Sequence, residues 1–447
     1  MTKAQSDSLL LFILGCTIFI SVGVVSENIS FVSQLDFKCL YYGSRCLLEH
    51  ANPYRQSDLL RAYQAGAADH PTDIAALQPI VVTYVNLPST LVLAAPFAML
   101  PWGPAHLAWM TITAGCFILA AYLMWRVGTP AAPLVSGALI FLFLCGSELL
   151  IEVGNDAGIA VALCVIATWC FLEERFVWAG TICLALSLLL KPHVTGPVLI
   201  YFLLVKGENR KLALRTTAIT FVLGLATVLW VYHVIPDWHS GFQANLQEIN
   251  SRGGINDPGP TRVDPRGHGA AVISLQTVVS LVKNDPHIYN PVTYIICAPL
   301  LLLWAVTTFR SHFSKESAWL AIATITLLSM LPLYHRQHDS RLLLLLVPAM
   351  AILWARGGSL AKIAFWLTAA CALLTGDLTC QILALAADRM KLSAHGLIGQ
   401  LANLCMIRPV PLILCATGAF YLWVYMRLAG QFLPAPSPVE DTEHVSG

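Results

Sequence analysis

Apolar residues fall in long runs with few polar interruptions, at 9–25, 105–125, 133–150, 157–172, 178–190, 194–205, 212–234, 292–309, 319–333, 342–354, 363–375 and 411–428. Most approach the roughly 20 residues that carry a helix across the hydrocarbon core, so the pattern predicts about twelve membrane helices. Two further runs, 87–100 and 392–405, are short or flanked by proline and fit re-entrant or interfacial helices. Two long polar segments, about 27–86 and 235–290, separate the apolar runs. The first run follows MTKAQSD and has no small-residue cleavage site after it, so it is read as a retained span. The expected fold is an all-α polytopic membrane protein with one integral-membrane domain over 1–434. A proline-rich, acidic tail at 435–447 is expected to be disordered and cytoplasmic.

Basic residues orient these spans. With the N-terminus in the cytoplasm and the two short runs not crossing, Arg126, Arg175, Lys206, Arg210, Lys211, Arg215, Arg310, Lys315, Arg356, Lys362 and Arg427 fall inside. That is the bias short loops obey. Lys191 and the pair Arg336 and Arg341 then lie outside, against the rule, and a cation held at a membrane face needs a partner. Both long polar segments lie on that same outer side.

Composition narrows the class. Apolar residues make up 57% of the 447 and charged residues only 11%, which excludes an ordinary soluble enzyme. A net charge of +1 lacks the basic footprint of a nucleic-acid binder. The 13 cysteines sit mostly inside apolar runs, where a thiol behaves as a small hydrophobe, and they imply no disulfide framework. Neither CxxC nor HExxH spacing occurs, so no zinc motif is read.

The candidate chemistry lies on the outer side. Asp36 opens an amphipathic stretch ending at the Asn52-Pro53 turn, and it is either a general base at the membrane surface or the N-cap of a helix starting at Phe37. The segment 333–349 packs His335, Arg336, His338, Asp339 and Arg341 between two apolar spans; guanidinium and imidazole donors suit a phosphate, the alternative being snorkelling side chains. Lys191, ahead of Pro192 and His193, is a second candidate for an anionic headgroup. The run Glu152-Val153-Gly154-Asn155-Asp156 interrupts apolar helices; Asn155 could hydrogen-bond a sugar, and Asp156 reads as a helix cap. The loop holding Asn256, Asp257, Asp264 and His268 has a composition that suits either a mobile lid or a plain surface loop.

Three segments together resemble a known family. DFKCLYYGSRCLLEHANPY at 36–54, ALSLLLKPH at 185–193 and LYHRQHDSRLLLLLVPA at 333–349 resemble glycosyltransferase family 87, in the GT-C superfamily of integral-membrane glycosyltransferases. GGINDP at 253–258, followed by Leu275-Gln276, is similar to that family's second outside loop. TYVNLPST at 83–90 departs from it, with a single Pro88 where relatives often carry paired prolines.

The resemblance implies a GT-C-like bundle that takes a sugar, usually mannose, from a polyprenyl-phosphate donor and passes it to a lipid or glycan acceptor with inversion. It places the enzyme in the cell (inner or plasma) membrane, with its site on the periplasmic or extracytoplasmic face. It carries the role of base onto Asp36 and matches His335 and Lys191 to the family's late histidine and KP; His335 is assigned to the donor phosphate or the acceptor, Lys191 by its charge to the donor phosphate, and Arg336, Tyr41, Asn155, His338 and Arg341 join them as candidate substrate contacts. No cofactor is required by that chemistry, and a divalent metal is left open. The expected partners are the donor, the acceptor and membrane lipids, with no nucleic acid. The competing reading is a transporter or flippase for a polyprenyl-linked lipid, in which the same cations hold a phosphate during translocation.

Overall fold

The computed structural model describes residues 2–30, 32–66, 81–259, 272–389 and 408–429, with isolated positions between 399 and 406. Asp264, His268, the tail 435–447 and most of the run 392–405 lie outside the described residues.

Each of the twelve apolar runs forms helix over most of its length, but they are not twelve equal spans. Among the described residues, seven helical segments are long and apolar enough to cross a membrane: Lys3–Ile29, Trp102–Gly128, Pro133–Glu152, Glu208–Val234, Pro286–Arg310, Gln337–Arg356 and Pro409–Leu428. Gly358–Leu374 and Asp377–Leu383, bent by 73° at their junction, make up to an eighth. Ala157–Leu172, Val177–Leu190 and Pro192–Leu204 are shorter. At 1.5 Å per residue they reach only about 20–24 Å, because Pro192 cannot continue the helix before it and 152–156 breaks the chain on the other side.

Burial separates the inner helices from the outer. Ala157–Leu172 and Lys315–Ser329 are buried along nearly their whole length. Glu208–Val234 and Pro286–Arg310 bury only 17% and 22% of their apolar windows and leave side chains such as Phe221, Leu229, Ile295 and Leu302 exposed. Such faces suit lipid and would be a liability in water. In Lys3–Ile29, Ser8, Phe12, Gly15, Phe19 and Gly23 recur every three or four residues as one buried stripe. A Cβ on Gly23 would come within 2.8 Å of Ile151, so the small residue permits the close approach.

A second, aromatic-rich core lies under the first polar segment. Helix Leu35–Leu48 supplies Phe37, Tyr41 and Tyr42, and Phe37 stacks on Trp109 at 4.7 Å between centroids. The Asn52-Pro53-Tyr54 turn is tied to helix Trp238–Asn250: Asn52 Nδ2 donates to Asp237, and Asn245 Nδ2 donates to the carbonyls of Tyr54 and Tyr84. The run at 87–100 forms an 11-residue helix, Pro88–Ala98, too short to span. Cys46, Cys164, Cys170, Cys297 and Cys371 are buried free thiols.

Candidate active site

Four breaks between helices converge. The first is the entry to helix Leu35–Leu48, whose N-cap is Gln34 in the left-handed region. Asp36 therefore lies inside the first turn and is not the cap. Its backbone N–H, with that of Phe37, is taken by the carbonyl of Val153, while Gln34 N–H donates to Glu152 and Gln34 Nε2 to Ile151. The helix end is thus sealed by the second break, 152–156, and the Asp36 carboxylate is free to point elsewhere. Gly154 makes this fit possible: its φ is +65°, and a Cβ would lie 2.4 Å from Gln34 Oε1 and 2.8 Å from Phe37 Cβ.

Half-buried Asp36 accepts a 2.6 Å hydrogen bond from Asn155 Nδ2. Asn155 Oδ1 in turn accepts from Ala157 N–H, capping helix Ala157–Leu172, and from Lys191 Nζ at 2.8 Å. Asp156 occupies the N-cap position of that helix without a capping bond, and its Oδ1 lies 3.2 Å from Lys191 instead.

The third break, at Pro192, leaves Lys191 as the C-cap of one helix and the N-cap of the next, outside the helical conformation that a following proline disfavours. Burial works against its charge, but Asp156, Asp339 and Asp36 outweigh that and hold the ammonium above the ordinary lysine range. The pKa of Asp156 is raised, because burial outweighs the pull of Lys191.

The fourth break precedes a 3-10 helix, Gln337–Leu345, buried throughout. Asp339 Oδ2 reaches back to the backbone N–H of Arg336 at 2.9 Å and fixes the entry. Asp339 Oδ1 lies 3.4 Å from Lys191 Nζ and 3.7 Å from His338 Nε2, while Oδ2 lies 3.6 Å from His335 Nδ1. The Arg336 guanidinium bonds to the Tyr334 hydroxyl and donates to the Ile255 carbonyl at 3.0 Å. Ile273 N–H donates to the His335 carbonyl, so both described flanks of the second loop are docked on this segment.

Asp36, Asn155, Lys191, His335, Arg336 and His338 are therefore brought to one place, joined by Asp156, Asp339 and His193, which the sequence reading had not counted as site residues. Tyr41 and Arg341 are not part of it. The Tyr41 hydroxyl donates to the Leu100 carbonyl within the aromatic core. Arg341, fully buried, donates to Asp377 at 2.8 Å and to the Thr375 carbonyl at 2.7 Å. Asn155 serves the base and the lysine, with no bond left pointing outward from its carbonyl. For a metal, one atom each from His193, His335 and Asp339 lie within 4.8 Å of one another.

The chemistry this arrangement offers is a carboxylate linked through one amide to a lysine, beside an arginine and histidines that can donate to a phosphate. Comparison with protein families matches residues 84–332 to glycosyltransferase family 87, more than half of the chain. The match takes in Asn155, Asp156, Lys191 and His193 and stops short of Asp36 and of His335. No curated protein and no solved structure matches the chain.

Proposed function

The chain belongs to glycosyltransferase family 87, and from that premise we propose that it transfers a hexose, mannose in the first instance, from a polyprenyl-phosphate donor to a lipid or glycan hydroxyl at the outer face of the cell membrane. The observation that carries this reading is the unbroken string from Asp36 through Asn155 and Lys191 to Asp339. It sets a base beside a set of phosphate donors, as an inverting displacement requires.

In this mechanism Asp36 takes the proton of the acceptor hydroxyl as its oxygen attacks the anomeric carbon from the face opposite the phosphate. The bond from that carbon to the phosphate oxygen breaks and its electron pair leaves with the polyprenyl phosphate. Lys191, Arg336, His335 and His338 stabilise the negative charge the leaving group gains. Asn155 orients Asp36, and Asp156 and Asp339 keep Lys191 charged and in position. Membership in a glycosyltransferase family sets the flippase reading aside.

The test is transfer by purified protein in lipid, with radiolabelled polyprenyl-phosphate mannose and a membrane-lipid extract as acceptor. Asp36→Asn is expected to lower kcat by about 100-fold or more, the usual worth of a general base, while donor binding persists. Normal turnover by that variant overturns the assignment of the base.

A further inference from the structure

Asp339 is a carboxylate with two faces. Oδ1 meets Lys191 and His338, whereas Oδ2 carries the Arg336 N–H and looks toward His335 Nδ1. On this second side His193 brings its ring to 5.3 Å from that of His335, centroid to centroid. His335 is 1% exposed, and neither of its ring nitrogens has a hydrogen-bond partner. Nδ1 has only the Asp339 carboxylate at 3.6 Å and Nε2 has none, and a buried polar atom left without a hydrogen bond costs on the order of 1–3 kcal/mol. His193 is exposed, so the same place has an opening.

Charge points to the sign of the occupant. The carboxylates of Asp36, Asp156 and Asp339 face the permanent cations Lys191 and Arg336, which leaves these side chains one negative charge in excess. A donor phosphate adds more. One divalent cation reverses the sign.

We propose that His193, His335 and Asp339 form a binding site for a divalent transition-metal cation of the zinc or manganese class, open on the side that faces the donor phosphate. Two imidazoles and one carboxylate suit such ions better than calcium or magnesium, which prefer all-oxygen shells. Bonds of about 2.0–2.1 Å to zinc set ligand atoms roughly 3.4 Å apart. The observed separations of up to 4.8 Å close to that by small side-chain rotations. The ligands come from two segments, His193 from one and the pair His335 and Asp339, four residues apart, from the other; the metal's part in holding phosphate rests on the glycosyltransferase mechanism above.

The experiment uses the full chain in lipid nanodiscs, stripped of metal and then dialysed against Zn2+ or Mn2+ alone, with bound metal measured by mass spectrometry. One ion per chain is expected, with affinity lowered more than about tenfold by His193→Ala and by His335→Gln. His193 is exposed, so His193→Ala reports on binding with the fold intact; His106→Ala, at the separate His106–Glu27 pair, is the control expected to bind as wild type. No stoichiometric ion, or an ion that survives both ligand substitutions, overturns the site. In a second arm, polyprenyl phosphate is expected to bind more than about tenfold tighter with the metal than without it, by analogy with the worth of a lost metal contact. Equal binding overturns the phosphate link. Because the metal titration needs no sugar, it is read independently of whether mannose is the donor's sugar.

Discussion

Asn155 does more with one side chain than its neighbours do with two. Its amide nitrogen fixes Asp36, and its carbonyl oxygen answers Lys191 and the first turn of a helix at once. Asn155→Ala is expected to lower kcat by roughly 10–100-fold with a smaller change in donor KM, since misplacing a reacting group by about 1 Å is costly. Steady-state kinetics of that variant beside Lys191→Met, which should chiefly raise donor KM, separates orientation of the base from hold on the phosphate. Equal effects of both on KM would mean that Asn155 contacts substrate. At this scale the sequence is informative about residue types at helix breaks: Lys191 and His335 stand out because polar groups seldom interrupt apolar runs without cause, and Asp36 because it opens an amphipathic stretch that carries the family resemblance. It was silent on Asp156 and His193, whose neighbours along the chain suggest nothing more than a cap and a turn.

Elements explain why Arg341 and Asp339, two residues apart, serve different ends. In a 3-10 helix three residues complete a turn, so positions 339 and 341 lie about 120° apart on its surface, and Asp339 faces Lys191 while Arg341 faces Asp377. Nothing in HRQHDSR distinguishes a 3-10 helix from an α-helix, so the sequence alone points Arg341 toward the phosphate. The Arg341–Asp377 pair is buried on both sides and ties this element to the bent helix that begins at Asp377. Asp377→Ala strands a buried guanidinium and is expected to cost about 3–5 kcal/mol in reversible unfolding. The double variant Arg341→Met, Asp377→Leu should recover most of that loss. A single variant as stable as wild type would show that the pair carries no weight.

At the scale of the molecule, exposed helices such as Glu208–Val234 and Pro286–Arg310 flank buried ones such as Ala157–Leu172 and Gln337–Arg356, and the first polar segment packs its own aromatic core. The proposed outer placement of the site is tested with a membrane-impermeant maleimide on intact cells, in a Cys405→Ser background that removes the exposed native thiol. Glu49→Cys, at the exposed end of helix Leu35–Leu48, is expected to label, and Arg175→Cys, in an exposed turn, is not. The reverse pattern would put the site on the cytoplasmic face. Hydrophobic runs and the placement of basic residues are one-dimensional signals, so the sequence alone determined a helical membrane protein, its two long polar segments and the family of its motifs. Only the tertiary structure decided which of the twelve apolar runs are long spans and which are short helices, since chain breaks such as Pro192 and 152–156 set that difference. It also decided that residues near 36, 155, 191 and 339 share one network. Contacts across more than a hundred residues are made by packing, and no local pattern of hydrophobic and polar positions encodes which helix ends meet.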